Sequence, residues 1–173
     1  MKNVVPSSAF LLLLSSLLFV AQAGDYDLVI NRQAVTVDGR TSQALTINGQ
    51  LPGPTLHFRE GEDVTVRVTN KLDEDASMHW HGIILPALMD GVPGLNGYQA
   101  IKPGDTFTYR FKIQQAGTYW YHSHTGTQEQ DGLYGSIVID PAKPDYVQAP
   151  RDYVIMLSDF SSEQGSEILR NLK

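Results

Sequence analysis

Residues 63–70 read "DVTVRVTN", and this short run decides the fold. Val64, Val66 and Val68 alternate with Thr65, Arg67 and Thr69. A strand turns successive side chains to opposite faces, so the valines share a buried face and the others a wet one. "TFTYRFK" at 106–112 repeats the pattern through Phe107, Tyr109 and Phe111. Upstream, Tyr26–Asn31, Gln33–Asp38 and Gln43–Asn48 are β-branched segments, and the turn cluster "NGQLPGP" leads into Thr55–Arg59. Downstream, Gly117–Ser123, Gly135–Asp140 and Tyr153–Asp159 complete the set. Short strands at this spacing, with no long helical period before residue 160, predict an all-β antiparallel sandwich or barrel. A helix is predicted to begin within "SEQGSEILRNLK", residues 162–173.

The first 23 residues are of a different kind. Lys2 precedes an apolar run from Phe10 to Val20, and Ala21-Gln22-Ala23 fits a small-x-small cleavage site. Residues 1–23 are therefore expected to be a signal peptide, with Gly24 the first mature residue. The apolar run is short for a membrane span, so no stable span is expected after cleavage. No twin arginine precedes it, which points to a Sec-type route. The sandwich is expected over 24–141, and 142–173 reads as a linker and the start of an incomplete second domain.

Of the chain's 13 basic and 19 acidic residues, only Lys2 falls in the leader, leaving a net charge near −7. That balance argues against nucleic acid and anionic membrane surfaces as partners. The chain has no cysteine, so it cannot by itself build a thiolate zinc, iron–sulfur or blue-copper site.

It does have five histidines, four of them in two His-x-His pairs: "HWHG" at 79–82 and "HSH" at 122–124. On strands, His79 and His81 would share one face, and His122 and His124 likewise. Four imidazoles presented this way predict a metal site. His57, in "TLHFR", has no partner histidine nearby and reads as an ordinary residue. Imidazole suits zinc, copper, iron and nickel, so ligand type leaves the metal open. Structural zinc favours cysteine, and catalytic zinc usually takes three protein ligands and a general base. A cupin-type iron or manganese site could use "HSHTGTQE" with Glu129, but it needs a later histidine, and none follows His124.

The surrounding residues carry a resemblance. "HWHG" followed by "MDGVPG", then "AGTYWYHSHTGTQEQDGLYGSIVIDP", with the lead-in "NGQLPGPTLHFREGEDVTVRVTN", resembles the first cupredoxin domain of a multicopper oxidase. It covers roughly Tyr26 to Pro141 and is most similar to the bacterial periplasmic copper-resistance oxidases. The resemblance implies a Greek-key cupredoxin-like β-sandwich and a periplasmic location. It implies half the ligands of a trinuclear copper cluster that reduces dioxygen to water. His79 would ligate the type 2 copper, His81 and His122 would share one type 3 copper, and His124 would ligate the other. Asp90, in "LMDG", would assist proton delivery; alternatively it is simply the turn residue before Gly91. Trp80, Trp120 and Tyr121 read as packing that shields the imidazoles, Met78 and Met89 as packing rather than soft ligands, and Gly82, Gly117 and Gly132 as turn devices.

Two departures from that family matter. Without cysteine there is no type 1 copper, and only two of four histidine motifs are present. The reading is therefore a truncated oxidase, whose partners are copper ions, dioxygen and the missing C-terminal cupredoxin domains, with no turnover by this chain alone. The alternative is a stand-alone periplasmic copper-binding module without redox turnover.

Overall fold

In the computed structural model, which describes residues 24–143 and 149–173, Val64, Val66 and Val68 are buried along one strand, with Thr65, Arg67 and Thr69 only partly covered. That strand is the fourth of eight. In order they are β1 (Gly24–Val37), β2 (Arg40–Ile47), β3 (Gly53–Arg59), β4 (Asp63–Asn70) and β5 (His79–His81). After them come β6 (Thr106–Lys112), β7 (Gly117–His122) and β8 (Tyr134–Asp140). They form two four-stranded sheets, ordered β2-β1-β4-β6 and β3-β8-β7-β5. Period-2 side chains from both sheets meet between them: Ile30, Leu45, Val66 and Tyr109 from one, Phe58, Trp80, Tyr121 and Ile137 from the other. Each such side chain is worth roughly 1.5–3 kcal/mol of burial, set against the entropy of ordering the chain. The architecture is the expected cupredoxin-like β-sandwich.

Several details differ from the sequence reading. Pairing is mixed rather than antiparallel throughout, because β1 runs parallel to β4 and β3 parallel to β8. Parallel neighbours need a crossover, and here each crossover passes through the opposite sheet, which strand spacing alone does not reveal. Tyr26–Asn31 and Gln33–Asp38 are one strand, since Arg32 stays in register opposite Leu45. Tyr153–Asp159 forms no strand and pairs with none among the described residues, and it exposes Ile155 and Leu157. A strand pattern without a neighbouring edge cannot become a ladder. The C-terminal helix α1 spans Gly165–Asn171, and Gly165 donates its N–H to the Asp131 carboxylate at 2.6 Å. The signal-peptide reading of 1–23 lies outside the described residues, as do 144–148 of the linker. No described helix is long and apolar enough to cross a membrane.

Candidate metal centre

The site begins with the register of β5 on β7: His79 opposes His122, Trp80 opposes Tyr121, and His81 opposes Trp120. Alternation then places His79, His81, His122 and Trp120 on the outer face, while Trp80 and Tyr121 face the core. Trp80 is fully buried, with its ring 5.1 Å from Tyr109 and 5.5 Å from Phe111. The residues between the histidines therefore fix the backbone that carries them.

Ring centroids lie 5.5 Å apart for His79–His81, 5.3 Å for His79–His122 and 5.4 Å for His81–His122. Within this trio, each residue offers one ring nitrogen lying within 4.8 Å of the other two. His124 stands apart from that trio. The strand ends at His122, so His124 sits two residues beyond the ladder rather than on a strand, its ring 5.7 Å from His79 and 6.0 Å from His122. Its backbone N–H donates to Ser77 Oγ at 2.9 Å, which takes it out of β pairing.

Back-side hydrogen bonds set which nitrogens face inward. His79 Nδ1 donates to the Asp90 carbonyl at 2.7 Å, and the Asp90 carboxylate lies 3.3 Å from the same atom. His122 Nδ1 lies 2.9 Å from the Ser123 carbonyl and 2.8 Å from Glu129 Oε2. With both Nδ1 atoms protonated, each Nε2 keeps its lone pair. His81 is turned the other way, its Nδ1 only 3.2 Å from His122 Nε2. That spacing suits two nitrogens each about 2 Å from one ion. Burial pulls the His122 imidazole below its usual value, with His79 and His81 adding to that shift and the Ser123 carbonyl and Glu129 opposing it. A neutral ring is the form that ligates metal.

A buried polar network supports the second histidine segment. Ser123 Oγ donates to Gln128 Oε1 at 2.8 Å, Gln128 Nε2 donates to the Asp75 carbonyl at 2.8 Å, and Thr125 bonds Ser77. Ser77, Gln128 and Glu129 were not singled out as site residues by the sequence. Glu129 arose only as a candidate ligand, and it lies behind His122 rather than among the converging nitrogens. The expected packing roles of Met78 and Met89 hold: Met78 is buried, and Met89 packs on the core with Sδ accepting the Arg110 N–H at 3.3 Å. His57 is exposed on β3, apart from the trio. Gly82, Gly117 and Gly132 all have positive φ.

A cupredoxin-like sandwich with imidazoles converging at one sheet edge defines a histidine-only metal-binding domain, and the donor set fits copper. The chain belongs to the multicopper oxidase family, whose family model matches residues 29–144. It is 52% identical to copper resistance protein A of Escherichia coli over 152 residues, covering 88% of this chain and 25% of that protein. It is 51% identical to a copper resistance protein A homolog of Pseudomonas syringae pv. tomato, covering 86% of this chain and again 25% of the relative. Among solved structures, a multi-copper oxidase from Pseudomonas thermotolerans superposes with a TM-score of 0.69 at 40% identity, covering 73% of this chain and 31% of that one. A blue copper oxidase from Nitrosomonas europaea gives 0.68 at 38% identity, covering 72% of this chain and 41% of that one. The chain thus spans about a quarter of the length of the curated relatives it matches.

Proposed function

We propose that this chain is the N-terminal cupredoxin domain of an exported, periplasmic copper-resistance oxidase, supplying half the ligands of a trinuclear copper cluster. The observation that carries the reading is the convergence of His79, His81 and His122 on one small space. In this reading residues 1–23 direct export, 24–141 form the copper-binding domain, and 142–173 lead into the next. His79 would hold the type 2 ion, His81 and His122 would share one type 3 ion, a reading supported by the 3.2 Å between their ring nitrogens, and His124 would serve the other. When bound, copper supplies the electron transfer and oxygen binding needed to reduce dioxygen to water while a cuprous or phenolic substrate is oxidised. The protein's own part is to orient. Asp90 holds the His79 ring through its carbonyl, and its carboxylate, 3.3 Å from Nδ1, would assist proton delivery. Relatives about four times as long favour a domain of a larger oxidase over a stand-alone carrier, with dioxygen and further cupredoxin domains as partners.

The test is copper uptake by this chain and by its His79→Ala/His81→Ala variant, measured by competition with a chromophoric chelator. Loss of binding with unchanged thermal unfolding is expected. Unfolding of the variant would make the histidines structural, and an uptake equal to wild type would remove them from the site.

A further inference from the structure

We infer that Glu129 is a positioning residue for the metal site, holding the His122 proton on Nδ1 so that Nε2 faces inward. The inference rests on the copper-ligand reading of His122 and deepens it. An imidazole can present either nitrogen, and which one carries the proton depends on what lies behind it. Behind His122 Nδ1 lie two oxygens, the Ser123 carbonyl at 2.9 Å and Glu129 Oε2 at 2.8 Å. A lone pair on Nδ1 would face both and be repelled, whereas an N–H there is attracted by both. The hydrogen bond goes to the Ser123 carbonyl, and the Glu129 carboxylate oxygen adds attraction to the same N–H from beside it.

The chain builds this contact deliberately. Gln128 is buried and tied to Ser123 and Asp75, and its N–H bonds the Thr125 carbonyl at 3.2 Å. With Gln128 anchored inward, the next residue is carried outward and back over the His122 edge. Trp120 closes the ring's face, at 4.1 Å and 17° from parallel. The arrangement repeats at His79, whose Nδ1 also has a backbone carbonyl and a carboxylate behind it, both from Asp90. His81, whose Nδ1 points inward instead, is the member of the trio that faces the other two without this backing. Outer partners of this kind set ring orientation and ligand basicity, and their loss typically costs 10–100-fold in metal affinity.

The test compares wild type, Glu129→Gln and Glu129→Ala as the full chain. Nitrogen NMR of the copper-free protein at mildly alkaline pH reports the His122 tautomer, and chelator competition reports Cu(I) affinity. Wild type should show the Nδ1–H form. Glu129→Gln should keep it, since an amide oxygen can still lie beside the N–H. Glu129→Ala should mix the tautomers and weaken Cu(I) binding by about 10- to 100-fold. The Glu129 side chain is 49% exposed, so neither change should alter unfolding. An unchanged tautomer in Glu129→Ala overturns the inference whatever the affinity does. If wild type takes up no copper, the metal reading fails, while the copper-free tautomer still decides the role of Glu129.

Discussion

The indole of Trp120 lies nearly flat on the His122 imidazole, with centroids 4.1 Å apart, and is also 4.9 Å from His81. One aromatic plane thus backs the two histidines whose nitrogens lie 3.2 Å apart. Stacking of this kind is worth about 0.5–1.5 kcal/mol beyond area burial. Trp120→Ala should therefore weaken copper binding by roughly 2- to 10-fold, and Trp120→Phe should retain most of the affinity. Equal affinities for all three proteins in chelator competition would show that the stack does not hold the ligands.

Gly91 makes the His79 contact possible. Its φ is +77°, and a Cβ there would overlap the Met78 carbonyl, immediately before His79. Gly94 has a similar φ of +82° but open space around it. Gly94→Ala should lose only the left-handed backbone cost, about 1 kcal/mol, whereas Gly91→Ala should lose about 1–3 kcal/mol more. Because the overlap pushes the Asp90 carbonyl away from His79 Nδ1, only Gly91→Ala should also lower copper affinity. Urea unfolding with copper competition on both variants decides this.

Val64, Val66 and Val68 gave their strand because period-2 alternation is a local signal, and "HWHG" gave both faces of β5 for the same reason. The pairing of β1 with β4 is not local, and no pattern in either strand encodes it. The position of His124 was not legible, because His-x-His reads the same on a strand as across its end; His124 lies two residues past β7, and the Ser77 hydroxyl that captures its N–H is 47 residues away. Glu129 was visible in "HSHTGTQE", but its place behind His122 depends on the buried bonds of Gln128.

Tyr98 and Tyr109 make a buried hydroxyl pair, 2.5 Å apart, beneath the site. Burial raises both phenols above their ordinary value near 10, Tyr109 well above it. The folded state thus keeps protons that the unfolded chain releases. Their contribution is fully present below about pH 10 and is lost as pH rises from there through the folded values. The domain should lose stability steeply in alkali, and Tyr109→Phe should make that slope shallower at some cost in stability at neutral pH. A slope unchanged by the substitution would assign the alkaline loss to other groups.

Tyr121 opposes Gly135 across the β7–β8 ladder, and Gly135 in turn opposes Gly53 on β3. The phenol ring lies over Gly135 and its hydroxyl reaches the Pro54 carbonyl at 2.7 Å, so one side chain spans three strands of the histidine-bearing sheet. A Cβ on Gly135 would overlap the ring, and one on Gly53 would lie 2.7 Å from the hydroxyl. Gly135→Ala should therefore cost about 1–3 kcal/mol through overpacking. In a Tyr121→Leu background the ring is gone, and the same substitution should cost far less, leaving a coupling of about 0.5–3 kcal/mol in a double-mutant cycle. Additive losses in urea unfolding would mean that the glycine serves the backbone instead of the ring. A non-zero coupling would tie the rigidity of β7, and with it the placement of His122, to a glycine on the neighbouring strand.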